Sequence, residues 1–329
     1  MRADCALPSK PPAMNMSQIT EKPITPNVPL RRTSALRSGL KQALAGAAWL
    51  LNECCGPREK QAFGILMYHR VADAVQEKPN PTWNVPPKRM EDQLAGLLDR
   101  GWQAWPLSQA LDHKRRGLPI PRKMFVVTFD DGYANNLHCA LPVLTKLGVP
   151  ATVFLATAYL DSNEPFPNDD WVCAGQPGVP TSAWRPLTTA ECRQLAANGL
   201  VELGAHTHTH ADFRGRPEAL AEDLRENLAI LREQFGIERP AFAFPYGTKC
   251  EGFASPALVR VVQEAGLPCS LTTQNDVVRP GDSPFDWGRI TANDFDTAAT
   301  LASRLGAWHS ALRKLANRPF GFCSRPRSF

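Results

Sequence analysis

Short apolar runs alternate with amphipathic stretches from Phe63 to Ala292. The runs predict strands at Gly64–Tyr68, Met124–Phe129, Ala151–Ala156, Leu200–Ala205, Ala241–Phe244, Cys269–Thr272 and Gly288–Ala292. Helices between them have readable ends. Thr188 and Glu191 have the spacing of a capping box, ahead of a helix that stops at Gly199. Pro217 opens a helix with Leu220, Leu224, Leu228, Leu231 and Phe235 on one face, and Gly236 closes it. Ser255-Pro256 starts another, which Gly266 ends. Alternation of this kind predicts parallel strands covered by helices. A barrel-like α/β architecture fits, with a doubly wound open sheet as the alternative. In both, functional side chains belong just past the C-terminal ends of the strands.

Residues 1–60 break this pattern. They begin Pro- and Ser-rich and end in a helical stretch with Leu36, Leu40, Leu44, Ala47 and Leu51 on one face. From Gln42 to Asn52 that stretch carries no charge, yet a membrane span needs roughly 20 apolar residues. The reading favoured here is a helix packed on the main domain; attachment to a membrane surface is the alternative. Positions 8 to 34 are too polar and Pro-rich to read as a secretory signal.

Composition narrows the function classes. Of 329 residues, 43% are hydrophobic and 21% charged, as in an ordinary globular protein. The formal net charge of +5 is dispersed rather than gathered in Lys/Arg blocks, which argues against a nucleic-acid partner. Nine cysteines with no CxxC pair argue against a disulfide scaffold and against thiolate metal sites. They lean toward a reducing location, cytoplasmic or at the inner face of a membrane.

Two predicted strands run into unusual polar groups. Met124–Phe129 leads into Asp130-Asp131-Gly132. Neighbouring carboxylates at the exit of an apolar strand are costly unless a cation or donors satisfy them. Adjacent residues of an extended chain face opposite ways, so one can bind a metal while the other accepts a proton. An Asp-Gly turn explains one of the two equally well. Leu200–Ala205 leads into His206-Thr207-His208-Thr209-His210, three of the chain's seven histidines. Imidazole favours zinc and similar ions, but spacing alone leaves open which pair would bind. One carboxylate and two imidazoles leave a coordination position open, the mark of a catalytic site.

Val127-Thr-Phe-Asp-Asp-Gly132, His206-Thr-His-Thr-His210 and Phe244-Pro-Tyr-Gly247 resemble the first three motifs of the polysaccharide deacetylase family. This is the NodB homology domain, carbohydrate esterase family 4. The resemblance covers roughly Phe63 to Ala292 and implies a distorted (β/α) barrel, with a catalytic domain over residues 61–329. It implies a hydrolase that removes acetyl groups from the amino sugars of an acetylated polysaccharide, as in exopolysaccharide metabolism. The cofactor implied is a divalent metal, Zn²⁺ first, with Co²⁺ or Ni²⁺ as substitutes.

Carried over residue by residue, Asp131, His206 and His210 resemble the metal ligands and Asp130 the general base. Tyr246 matches the position whose backbone N–H helps bind the oxyanion, and His208 would line the groove or support the ligands from behind. The arginine that usually opens the third motif is replaced by Ala243, and Arg289 is the candidate to supply its guanidinium. Asp286-Trp287 is weakly similar to the fourth motif, which would make Trp287 a substrate contact; a core residue is the alternative reading of Trp287. No Leu-x-His motif follows Ile290. His69, at the exit of the first strand, resembles the general acid of poly-N-acetylglucosamine deacetylases, where that histidine precedes the Asp-Asp motif. Trp83, Trp171 and Trp184 are loop aromatics able to stack on sugar rings, and the insert Asp161–Thr181 is where substrate contacts are expected. The rival readings are an O-acetyl esterase or cyclic-amide hydrolase on the same metal site, and a catalytically decayed carbohydrate-binding barrel.

Overall fold

The computed structural model describes residues 35–75, 81–166 and 179–316. The chain divides into two units, Met1–Leu40 and Lys41–Phe329. Of the first, only the opening turn of a helix is described. In chain order the elements are α1 (Ala35–Cys55), β1 (Gly64–Tyr68), α2 (Pro87–Asp99), β2 (Gln103–Ala104), α3 (Leu107–Arg115), β3 (Met124–Phe129), α4 (Leu141–Leu147), β4 (Ala151–Leu155), α5 (Thr189–Ala197), β5 (Val201–Ala205), α6 (Pro217–Phe235), β6 (Phe242–Ala243), α7 (Pro256–Glu264), β7 (Ser270–Leu271), β8 (Ile290–Thr291), α8 (Ala298–Leu305) and α9 (Trp308–Ala316).

Every strand pairing is parallel, in the order β7-β6-β5-β4-β3-β1-β8, with β2 set against the start of β3. Leu271 of β7 bridges to Trp287, in the segment that leads into β8 at the other end of the sheet. The sheet is therefore an incomplete, distorted barrel, not the doubly wound open sheet held as the alternative.

Side-chain alternation divides the core in two. On β3, Phe125, Val127 and Phe129 pack outward with Leu94 of α2 and Leu144 of α4, while Met124 and Val126 belong to the inner cluster with Ile65, Phe154, Leu271 and Trp287. On β5, Val201, Leu203 and Ala205 face out. That parity puts Thr128 and Asp130 of β3's line, and Gly204 and His206 of β5's, on the barrel interior. Gly204 is required there, because a Cβ would collide with the ring of Phe154.

Helix ends follow local chemistry. Thr188 and Glu191 form a reciprocal capping box on α5. Gly236, with φ 69°, closes α6, and the Ser255 hydroxyl caps α7. The buried face of α6 differs from the predicted one: Leu220, Leu224, Asn227 and Leu231 are buried, and Leu228 is only half-buried. On α1, Ala48 and Asn52 face inward while Ala47, Trp49 and Leu50 are exposed. Among the described residues no helix is long and apolar enough to cross a membrane.

Glu191 does more than cap. Both its oxygens accept from Arg185, at 2.6 and 2.8 Å, and His138 lies 2.7 Å away. The Arg185 guanidinium is the main reason its carboxyl is held down to about 2. A carboxyl depressed in the folded state contributes stability above its ordinary value of 4.5. That contribution is lost as pH falls toward 2. The Tm advantage of wild type over Glu191→Gln is therefore expected to be full at pH 6 and to shrink steadily below pH ~4.5. A gap that stays constant down to pH 2 would show that the pair does not stabilise the fold.

Candidate active site

Asp130 continues the inward line of β3 and is 2% exposed. Arg289, fully buried, meets it with two parallel hydrogen bonds: Nη1 donates to Oδ1 at 2.5 Å and Nη2 to Oδ2 at 2.7 Å. Nε of Arg289 donates to the Thr272 carbonyl at 3.2 Å, and the guanidinium carbon sits 5.7 Å from the centre of the Phe154 ring. The arginine is delivered by a tight approach. Its N–H binds the Gln274 carbonyl at 2.9 Å, and a Cβ on Gly288 would run into that same carbonyl. Burial by itself would raise the Asp130 carboxyl; Arg289, with His206 and His69, outweighs it and holds the group below the usual carboxylate range.

Asp131 is turned off the strand line by a three-residue turn. Its φ is 72°, and the Gly132 N–H closes on the Asp130 carbonyl at 2.9 Å. The turn brings Asp131 Oδ1 to 3.4 Å from His206 Nε2 and 3.2 Å from His210 Nε2. One donor atom from each of the three lies within 4.8 Å of the others. His206 Nδ1 is 2.8 Å from the Ala243 carbonyl, which can only accept, so this nitrogen carries a proton and Nε2 is the nitrogen left to bind a cation. The donor set fits a divalent cation with open positions. Burial alone would push the Asp131 carboxyl up, but the two imidazoles hold it well below its ordinary value.

Around this centre, non-glycine residues adopt left-handed backbone: Trp83, Asp131, Thr207, His210 and Tyr246 have φ between 53° and 72°. Such conformations are costly and gather at functional sites. Tyr246 repeats the turn of Asp131, with the Gly247 N–H closing on the Pro245 carbonyl at 2.7 Å. Its ring lies 4.9 Å from that of His210.

His69 Nε2 is 3.8 Å from Asp130 Oδ2. Asn136, in a π-helical turn (Asn136–Ala140), holds the His69 carbonyl at 2.9 Å, and the ring stacks on half-exposed Trp83 at 5.4 Å. Burial keeps the imidazole below its ordinary value, although Asp131 and Asp130 pull it back up.

The structure thus brings together Asp130, Asp131, His206, His210, Arg289 and His69, with Tyr246 beside His210. It does not bring His208 or Trp287 there. His208 turns toward α6, its Nδ1 3.0 Å from Thr157 Oγ1 and its Nε2 3.4 Å from Glu226, because residue 208 points away from the interior. Trp287 is fully buried, edge-on to Phe63 inside the barrel at 5.5 Å, and has no face for a sugar. Asp286 instead pairs with Lys249. Trp171 and positions 167–178 of the insert lie outside the described residues. The His69–Trp83 stack and the polar contacts from α6 went unread; Asn227 on an otherwise leucine face was the available signal for the second.

Residues 118–269 match the family model for polysaccharide deacetylases. Poly-beta-1,6-N-acetyl-D-glucosamine N-deacetylase of Staphylococcus aureus strain MRSA252 is 23% identical over 263 residues, covering 74% of this chain and 83% of the relative. Among solved structures, IcaB from Ammonifex degensii superposes with a TM-score of 0.61 at 23% identity, covering 76% of this chain and 98% of that one. A de-N-acetylase from Aggregatibacter actinomycetemcomitans gives 0.61 at 20% identity, over 74% of this chain and 100% of the other. These likenesses establish a shared fold.

Proposed function

We propose that this chain, whose residues 118–269 match the polysaccharide deacetylase family model, is a metal-dependent hydrolase of that family, removing N-acetyl groups from the amino sugars of a polysaccharide. The observation that carries this reading is the division of labour at the exit of β3. Asp130 is engaged by Arg289, while Asp131 joins two imidazoles. Two adjacent carboxylates are thereby given different chemistry by their surroundings.

Asp131, His206 and His210 would hold the cation, with Zn²⁺ the ion best suited to one carboxylate and two imidazoles. Bound there, it supplies positive charge that polarises a carbonyl and acidifies water. Asp130 takes the proton of the attacking water; Arg289 keeps that carboxylate ionised and aims its oxygens. The Tyr246 amide donates to the oxygen on which negative charge develops. His69, across the same carboxylate, gives a proton to the departing amine. Trp83, stacked on His69 and half-exposed, offers a face to a sugar ring.

Product analysis tests the substrate class. Incubation with N-acetylglucosamine oligomers, acetylated xylan and small cyclic amides is expected to yield acetate and free amine in equal amounts from the oligomers alone. Turnover confined to the ester would replace this reading with that of an O-acetyl esterase.

A further inference from the structure

Helix α6 is amphipathic, yet its buried face is interrupted by a fully buried asparagine. Asn227 Nδ2 lies 2.7 Å from the Thr207 carbonyl, 3.1 Å from the Leu155 carbonyl and 3.0 Å from Thr157 Oγ1. Three acceptors converge on two protons, so the amide orientation is set: reversed, Oδ1 would face those oxygens. Among the described residues Oδ1 itself has no partner. A buried, unsatisfied carbonyl is destabilising. A leucine of similar volume would continue the apolar face without that cost, so the amide is explained by the carbonyls it ties down.

One turn earlier, Asp223 accepts from the backbone N–H of His208 through Oδ1, and from both the N–H and the hydroxyl of Thr209 through Oδ2. Thr157, having accepted from Asn227, turns its own proton to His208 Nδ1, which leaves His208 Nε2–H to face Glu226. One side of α6 therefore grips residues 207, 208 and 209 in succession. These lie between His206 and His210, in a segment where Thr207 and His210 have φ of 66° and 53°. Such backbone persists only where surroundings over-determine it.

We infer that Asn227 and Asp223 are positioning residues, which hold the loop so that the imidazoles of His206 and His210 converge before a cation arrives. The inference rests on the reading of Asp131, His206 and His210 as metal ligands. Of the two parts open to His208, it selects support over groove lining: His208 is the anchor by which the loop is fastened to α6.

Titration of the purified full chain with Co²⁺, followed by its visible absorption, and competition of bound Zn²⁺ against a chromophoric chelator test this. The variants are Asn227→Leu, Asp223→Ala and His206→Ala, each checked for folding by circular dichroism without metal. Wild type is expected to bind one equivalent and His206→Ala to lose the site. Asn227→Leu should bind ~10–100-fold more weakly, the usual effect of losing a group that orients ligands, with a changed Co²⁺ spectrum. Asp223→Ala, whose side chain is at the protein surface, should shift in the same direction and decides the matter if Asn227→Leu does not fold. Folded Asn227→Leu and Asp223→Ala variants with wild-type affinity and spectrum would overturn the positioning role and leave the metal site standing. A wild type that binds no metal would overturn the ligand assignment, and this inference with it.

Discussion

Asp130→Asn is expected to lower the rate of deacetylation by about a hundred- to ten-thousand-fold, the span a positioned acid–base group contributes. The substitution keeps the shape of the side chain and removes its capacity to take a proton. It leaves untouched Asp131 and the imidazoles 3.2 and 3.4 Å from it, so the variant should load metal as wild type does. Arg289 would then be buried against a neutral amide and the fold should weaken. The comparison is therefore made on protein shown to be folded and metal-loaded. Steady-state kcat/KM with parallel metal analysis checks it, and a fall of less than tenfold would remove Asp130 from the role of base.

Arg289→Met is expected to be the most damaging single change to stability, by about 3–5 kcal/mol. Removing one partner of a buried pair leaves the other charge uncompensated. Both members are almost wholly buried, and two of the guanidinium's hydrogen bonds go to Asp130. A second consequence separates catalysis from folding. Without the guanidinium, burial dominates at Asp130 and raises its carboxyl. The acid limb of the pH–rate profile should then move to higher pH. Denaturant unfolding measures the first effect, and kcat/KM against pH the second. A less stable variant with an unmoved profile would make Arg289 a structural residue only.

The strand ends were the most legible part of the sequence. β1 and β3 lie at the positions that their apolar runs predicted, because strands buried on both faces read as unbroken hydrophobic runs. β6, β7 and β8 are shorter than predicted, two residues each: near the incomplete seam the chain keeps its apolar character but loses its ladder partners. The helix caps were readable because capping is local chemistry. Arg289 was singled out for lack of an arginine at Ala243, and the geometry makes that substitution intelligible. Ala243 gives its carbonyl to His206, while the guanidinium reaches Asp130 from the segment leading into β8.

The two readings that the sequence left open share one cause. His208 and Trp287 sit inside motifs, and a motif does not say which way each side chain points. Residue 208 lies on the far side of a loop whose φ angles are inverted, and Trp287 on the inward parity of its segment. Asn227 could have been noticed on its leucine face, but its partners at 155, 157 and 207 become neighbours only when α6 packs over β4 and β5.

The most direct test of the metal-dependent deacetylase is acetate release from N-acetylglucosamine oligomers, measured with the divalent ion present, after chelation, and after the ion is restored. The structure predicts release that stops with the chelator and returns with the ion. Release that ignores the chelator, or no release from protein carrying a full equivalent of metal, would contradict it.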